Sequence, residues 1–122
     1  MRSGWFALGM LVMAVAVGAG AFGAHGLHTV LSADALRLWE TAVRYLVIGG
    51  AGVVAIGLAA EHRPSRAWAL AGSALFSGAL IFSGSVAALA LGAPRWLGAV
   101  TPIGGVLLIS GFVVGALTAT RR

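Results

Sequence analysis

Apolar and polar positions alternate along the chain in long blocks. Uncharged apolar runs cover residues 5–24, 45–60, 67–91 and 100–120, and short polar or glycine-proline segments separate them. A helix of about 20 residues crosses a hydrocarbon core about 30 Å thick. The pattern therefore predicts four transmembrane helices. Pro64 ends the second run, Pro94 follows the third, and Thr101-Pro102 has the pattern of a helix start before the fourth.

The polar stretch between the first two runs, residues 25–44, has a pattern of its own. Ser32 is suited to cap a helix, and Leu36, Trp39 and Val43 then recur at helical spacing with charged residues on the other face. This predicts a short amphipathic interfacial helix over residues 33–44 that leads into the second span. The expected fold class is all-α: a polytopic membrane protein whose four transmembrane helices form a compact bundle, with this short helix between the first two.

The composition supports a transmembrane protein and excludes an additional soluble domain. The chain has 122 residues, of which 60% are hydrophobic and 9% charged, and it has no cysteine. Soluble domains carry charge on about a quarter of their residues. Four spans leave no room for a soluble catalytic domain, so we expect one transmembrane domain over residues 1–122.

The formal charge of +5 comes from arginines at the ends of the apolar runs. They form no continuous basic stripe, so we expect no nucleic-acid partner. Alternating the spans places five on one side of the membrane and three on the other, which favours cytoplasmic termini. The first set is Arg2, Arg63, Arg66, Arg121 and Arg122; the second is Arg37, Arg44 and Arg95.

Small residues recur four apart in all four runs, as in Ala16-Gly20-Ala24 and Gly84-Ala88-Gly92. Such faces let membrane helices approach closely, so we expect the glycines to serve packing and not a cofactor. The predicted helix-packing positions are Gly20, Gly84, Gly111 and Gly115.

Candidate chemistry is sparse. His25 and His28 are three apart, which is compatible with two ligands of a metal site, but no third ligand is near in sequence; a histidine bonded to backbone at the end of a span is the favoured interpretation. No charged residue lies well inside a predicted span, which disfavours a proton-driven antiporter. No Ser, His and acid are arranged for nucleophilic catalysis, so we expect neither an enzyme nor a cofactor.

Four groups of residues together resemble one family: residues 20–27 (GAFGAHGL), 39–45 (WETAVRY), 75–76 (LF) with 82–85 (FSGS), and 101–105 (TPIGG). The chain is similar to the uncharacterised small integral membrane proteins known as domain of unknown function 423, which include YgdD-like bacterial inner-membrane proteins. The resemblance implies a four-helix protein of the bacterial inner membrane with no established activity. Where family members carry a His shortly after the tyrosine that matches Tyr45, this chain has Gly49 and Gly50. The motif positions are Gly23, His25, Glu40, Arg44, Ser83, Gly84, Thr101, Pro102, Gly104 and Gly105.

Three functional hypotheses follow. The first is a non-enzymatic accessory or assembly subunit of a larger membrane complex, or a homo-oligomer, with membrane lipid and other membrane subunits or itself as partners. The second is a small oligomeric carrier or channel, with His25, Glu40, Arg44 and the serines of the third span along a polar path. The third is a metal or haem site at His25 and His28.

Overall fold

A computed structural model describes residues 4–121, and helices account for nearly all of this part of the chain. The four long helices are α1 (Gly4–Phe22), α2 (Ala33–His62), α3 (Arg66–Ala90) and α4 (Thr101–Thr120). A π-helical turn, Gly23–Leu27, extends α1, and a 3-10 turn, Arg95–Ala99, precedes α4. All four helices are long and apolar enough to cross a membrane, so the all-α, four-span fold expected from the sequence is confirmed.

The prediction of a separate amphipathic helix over residues 33–44 is wrong. These residues are the first turns of α2, which runs unbroken for 30 residues. Ser32 does cap it, because its Oγ accepts a hydrogen bond from the Ala35 N–H at 3.1 Å. Nothing between Arg44 and Tyr45 breaks a helix, so the change from amphipathic to apolar marks a change of surroundings along one helix. At about 1.5 Å per residue, α2 is about 45 Å long and exceeds the hydrocarbon core.

Each helix packs mainly against its neighbour in sequence. The extensive interfaces are α1 with α2, α2 with α3, and α3 with α4, while α2 touches α4 at only a few positions. The buried core runs along α2 and α3, where Val53, Ala71 and Leu75 are almost completely inaccessible. Helices α1 and α4 therefore lie at the two sides of the bundle.

Glycines allow the backbones to approach closely at the crossings. A Cβ added to Gly9 of α1 would lie 2.6 Å from the backbone nitrogen of Val54 in α2. A Cβ added to Gly78 of α3 would lie 2.7 Å from the backbone nitrogen of Leu108 in α4. These distances are shorter than real Cβ contacts. The helices can therefore lie this close only because glycine has no side chain at these positions.

The bundle has two distinct ends. The α1–α2 and α3–α4 connections, residues 23–32 and 91–100, lie at one end, called here the two-loop end. The α2–α3 connection, residues 63–65, lies at the opposite end together with the first residues of α1 and the last of α4, called here the termini end. At the termini end the ring of Trp5 on α1 covers Gly72 on α3, with a built Cβ only 3.0 Å from the ring. Helices α1 and α3 therefore meet there.

Candidate functional site at the two-loop end

The π-helical turn at the end of α1 is clamped onto α2 by Trp39. The indole Nε1–H of Trp39 donates a hydrogen bond to the carbonyl oxygen of Ala19 at 2.8 Å. Its ring lies over Gly23, where an added Cβ would come within 2.5 Å of Trp39 Cδ1. Phe22 completes the contact with an edge-on arrangement of the two rings, whose centroids are 6.2 Å apart. Short π-helical segments inside α-helices occur frequently at functional sites.

The charged and imidazole side chains of the motif lie outside this contact. His25 is in the π-helical turn and His28 follows it, and both are exposed. Glu40 and Arg44 are exposed on α2, and Glu40 borders a shallow cavity of about 130 Å³ beside Gly23. Within residues 4–121 no group of three or more His, Cys, Asp or Glu side chains is placed to hold a metal ion. This arrangement offers a polar rim and no assembled metal centre.

The TPIGG motif joins the start of α4 to α3. The hydroxyl groups of Thr101 and Ser85 are 2.6 Å apart and form a hydrogen bond between the two helices. Pro102 occupies the first turn of α4, where its missing N–H leaves no helical hydrogen bond unmade. Gly104 lies directly against the backbone of Phe82, whereas Gly105 has only an ordinary contact with the Phe82 ring. This part of the motif therefore sets how α4 packs on α3.

Ser83 and Gly84 line a cleft between α1 and α3. The cleft lies nearer the two-loop end than the contact of Trp5 with Gly72, where the same two helices meet. The cleft has a volume of about 230 Å³, with Val15 and Ala19 on one wall, Leu80 and Gly84 on the other, and α2 as its floor. Ser83 is only 5% exposed, and its buried Oγ has no hydrogen-bond partner within residues 4–121. The lining is otherwise apolar, apart from the indole of Trp39.

The four glycines proposed as packing positions have different surroundings. Gly111 is tightly enclosed, since an added Cβ would lie 2.7 Å from Leu75 Cγ. Gly20 and Gly115 have room for a Cβ in ordinary contact, at 3.4 Å from Val43 and 3.5 Å from Ile56. Gly84 is exposed, and beyond its own stretch of helix no atom of the described residues lies within 4 Å of such a Cβ.

Sequence reasoning missed both the cleft and the role of Trp39. The sequence marks Trp39 as an aromatic residue suited to a membrane interface, and nothing in its pattern links it to Ala19 or Gly23. The cleft is formed by residues of three helices, α1, α2 and α3, so the sequence pattern of a single helix does not reveal it. For one further residue, Gly18, the sequence did contain a signal of helix packing. Gly18 lies four residues after Ala14, a spacing that favours contacts between membrane helices.

Comparison with known proteins identifies relatives without a known activity. The sequence model of the family described as protein of unknown function (DUF423) matches residues 19–105. Proteins named UPF0382 membrane protein from Staphylococcus saprophyticus, S. haemolyticus and S. epidermidis are 53%, 47% and 49% identical to this chain over 51 residues. The matched stretch covers 42% of this chain and 42% of each relative. No solved structure matches the chain.

The family match covers most of the chain, including the π-helical turn, Trp39, the TPIGG motif and all of the cleft lining except Val15. The relatives are named as membrane proteins, and the four helices described above are each able to span a bilayer. This chain is a membrane protein and belongs to DUF423, a family of unknown function.

Proposed function

We propose that this protein is a non-enzymatic membrane protein that acts through association of its helices, as a homo-oligomer or as a small accessory subunit of a membrane complex. The observation that carries the proposal is Gly18, a glycine in the second half of α1. Apart from its chain neighbours and the nearby backbone of its own helix, no atom of the described residues lies within 4 Å of a Cβ built on it. No packing contact within the bundle requires a glycine there.

Gly18 belongs to a face of α1 that points away from α2. Ala7, Ala14, Gly18 and Ala21 follow one another at intervals of seven, four and three residues, and all four are exposed. This spacing places them on one side of the helix. The opposite side, with Gly9 and Ala16, is buried against α2. We call the exposed set the outer α1 face.

Membrane helices gain no hydrophobic energy by leaving lipid for one another, so their association depends on close packing. Small side chains let two backbones approach and form many van der Waals contacts. The outer α1 face offers such a surface over about four turns. A second copy of this chain or another membrane helix with a small-residue face has the required shape.

Native mass measurement in mild detergent tests this proposal. We expect the wild-type protein to form an oligomer or to retain a co-purified membrane subunit, and Gly18→Leu to release monomer. Gly84→Leu is the matched control, because Gly84 is also exposed without a nearby atom but lies on α3. A strictly monomeric wild type without a partner, or equal dissociation by the two variants, would contradict association through the outer α1 face.

We also propose that the protein lies in the bacterial inner membrane with both termini in the cytoplasm. Arg63, Arg66 and Arg121 lie at the termini end, and Arg37, Arg44 and Arg95 lie at the two-loop end. The two further arginines that favour a cytoplasmic termini end, Arg2 and Arg122, are outside the described residues. Arginine is enriched in cytoplasmic segments, which supports this orientation.

Single introduced cysteines test the orientation, because the chain has none of its own. Pro64→Cys at the termini end and Ala93→Cys at the two-loop end are both placed in connections between helices. In intact cells whose outer membrane has been removed, we expect a membrane-impermeant maleimide to label Ala93→Cys and to leave Pro64→Cys unlabelled until the membrane is disrupted. The reverse pattern would show that the termini face outward.

The carrier or channel hypothesis has less support. It requires polar groups along a path between helices, but Glu40 and Arg44 are exposed at the two-loop end and Ser83 is buried in an apolar cleft. In the part of the chain that the structure describes, these groups form no continuous polar path. Helix association, in contrast, requires only an exposed face of small residues, such as the outer α1 face.

A further inference from the structure

We propose that the termini end of the bundle carries a binding pocket for a phosphate group, which the headgroup of an anionic membrane phospholipid supplies. The pocket lies where the α2–α3 connection meets the end of α4, and its guanidinium groups come from Arg63 and Arg121. This inference concerns a different part of the molecule from the outer α1 face and does not depend on association of the protein.

A cavity of about 220 Å³ with polar and charged groups in its lining lies at the termini end. Its walls come from the α2–α3 connection, the first turn of α3 and the end of α4. The lining residues are Arg63, Pro64, Ser65, Trp68, Thr118 and Arg121. A cavity of about 150 Å³ holds benzene, which has more heavy atoms than a phosphate group, so the space is sufficient.

The positive charge at this cavity is not neutralised by an acidic side chain. Arg63 Nη2 donates a hydrogen bond to the carbonyl oxygen of Arg121 at 2.9 Å, which ties the α2–α3 connection to the end of α4. This bond uses one of the five N–H donors of the Arg63 guanidinium. Within residues 4–121 neither arginine side chain has an ion-pair partner, although Glu61 is near Arg63 in sequence. Guanidinium groups bind phosphate oxygens through paired, charge-assisted hydrogen bonds, so two of them with unused donors at one cavity favour this ligand.

A further donor at this cavity is the indole of Trp68. Trp68 is only 8% exposed, and its indole N–H has no hydrogen-bond partner within residues 4–121. The indole nitrogen is not sealed in the core, because among the described residues only the Ser83 Oγ is both fully buried and unpaired. Trp68 therefore has an available N–H in a residue that lines the cavity. The N-terminus of α3, which Ser65 caps, adds partial positive charge at the same place.

The level of the cavity in the membrane matches that of lipid headgroups. Helix α3 has 25 residues and is about 37 Å long, so its ends project about 3–4 Å beyond a hydrocarbon core about 30 Å thick. The cavity lies at the first turn of α3 and the end of α4, and Arg63 and Arg121 at its rim are exposed. Basic side chains at this level attract anionic lipids. A lipid phosphate is therefore the nearest source of the ligand, and a soluble phosphate compound is the other source of the same chemistry.

Native mass spectrometry of the full chain in mild detergent measures this binding, because each bound lipid adds its own mass. We would titrate phosphatidylglycerol, phosphatidylcholine and diacylglycerol with identical acyl chains. Phosphatidylcholine carries a phosphate whose charge the choline group cancels, and diacylglycerol has no phosphate. We expect saturable binding of phosphatidylglycerol that is about fivefold tighter than that of phosphatidylcholine, and diacylglycerol should bind most weakly.

Single arginine substitutions locate the site. Arg121→Gln removes one guanidinium but keeps the backbone carbonyl that Arg63 contacts, and Arg63→Gln removes the other guanidinium. Each should weaken phosphatidylglycerol binding about fivefold and leave diacylglycerol binding unchanged. Arg95→Gln is the matched control, because Arg95 is an exposed arginine at the two-loop end. Arg121→Lys keeps the charge and should bind phosphatidylglycerol more tightly than Arg121→Gln does.

Competition with inorganic phosphate identifies the source of the phosphate group. Millimolar ammonium phosphate would be compared with ammonium acetate at the same ionic strength. Retention of bound phosphatidylglycerol in both salts supports the lipid headgroup as the ligand. Displacement by phosphate alone would assign the pocket to a soluble phosphate compound and overturn the headgroup as its source.

The variants and lipids together decide whether the pocket exists. A preference for phosphatidylglycerol that falls in Arg63→Gln and Arg121→Gln but persists in Arg95→Gln supports it. Equal binding of phosphatidylglycerol and diacylglycerol overturns it, because the phosphate group then contributes nothing. Equal weakening by all three glutamine variants also overturns it, since the overall charge of the protein then accounts for the binding.

Discussion

The crossing of α3 and α4 allows a quantitative test of the packing argument, through substitution of Gly78 by alanine. The new Cβ would lie 2.7 Å from the backbone nitrogen of Leu108 and 2.8 Å from the carbonyl oxygen of Gly104. Ordinary contacts begin at 3.4 Å, so the nearer atom is about 0.7 Å too close. Both atoms belong to the backbone and cannot move by a side-chain rotation. The two helices must therefore separate.

The free-energy cost follows from this separation. A gap of about 0.5–1 Å removes a quarter to a half of the dispersion energy of the contacts that it opens. Overpacking of this kind costs about 1–3 kcal/mol in protein interiors. Gly105→Ala is the matched control on α4, because its Cβ would lie 3.8 Å from the Phe82 ring. Both substitutions gain the same intrinsic helix propensity, so the difference between them reports packing.

The measurement is reversible unfolding in mixed micelles with increasing sodium dodecyl sulfate, followed by circular dichroism. We expect the free energy of unfolding to be lower for Gly78→Ala than for Gly105→Ala by about 1–3 kcal/mol. If the two variants agree within about 0.5 kcal/mol, the close approach of α3 and α4 does not determine stability, and the reasoning from glycine contacts is refuted.

The same unfolding measurement tests three further contacts. Trp39→Phe removes the indole donor and should lower the free energy of unfolding by about 1 kcal/mol; an unchanged value would mean that the clamp on α1 contributes nothing. A double-mutant cycle of Ser85→Ala and Thr101→Val should give a coupling energy of about 0.6 kcal/mol, whereas additive effects would contradict the hydrogen bond. Gly92 has φ +102°, so Gly92→Ala should cost about 1 kcal/mol while Gly98→Ala, with helical neighbours in the 3-10 turn, should not; equal effects would count against strain at Gly92.

The four spans could be predicted because each crosses lipid as a long apolar run that ends at proline, glycine or charge. The first half of α2 shows the limit of this reasoning. Asp34, Arg37 and Arg44 give residues 33–44 an amphipathic pattern, which is compatible with a separate surface helix and with the emergent end of a longer one. The helix continues because no proline or glycine interrupts it at Arg44-Tyr45. The hydrophobic pattern alone does not show whether a helix continues or ends at such a point.

Packing partners were harder to predict than helices. Gly84 and Gly111 both belong to small-residue stripes, yet Gly111 is enclosed by Leu75 and Gly84 is open. Periodicity shows that residues share a face but does not show which helix, if any, covers that face. For the same reason Ser83 appeared in sequence as one of several serines, and only the structure shows that Ser83 lines the cleft whereas Ser85 is paired with Thr101.

The order of packing has a consequence for assembly during synthesis. Each helix makes its main contacts with the helix before or after it in the chain, through connections of about ten residues or fewer. Local contacts of this kind carry little loop-closure entropy and form quickly. As each helix after the first enters the membrane, the preceding helix, with which it shares an extensive interface, is already there. The bundle can therefore form one helical hairpin at a time, and no early helix has to wait for the end of the chain before its buried face is covered.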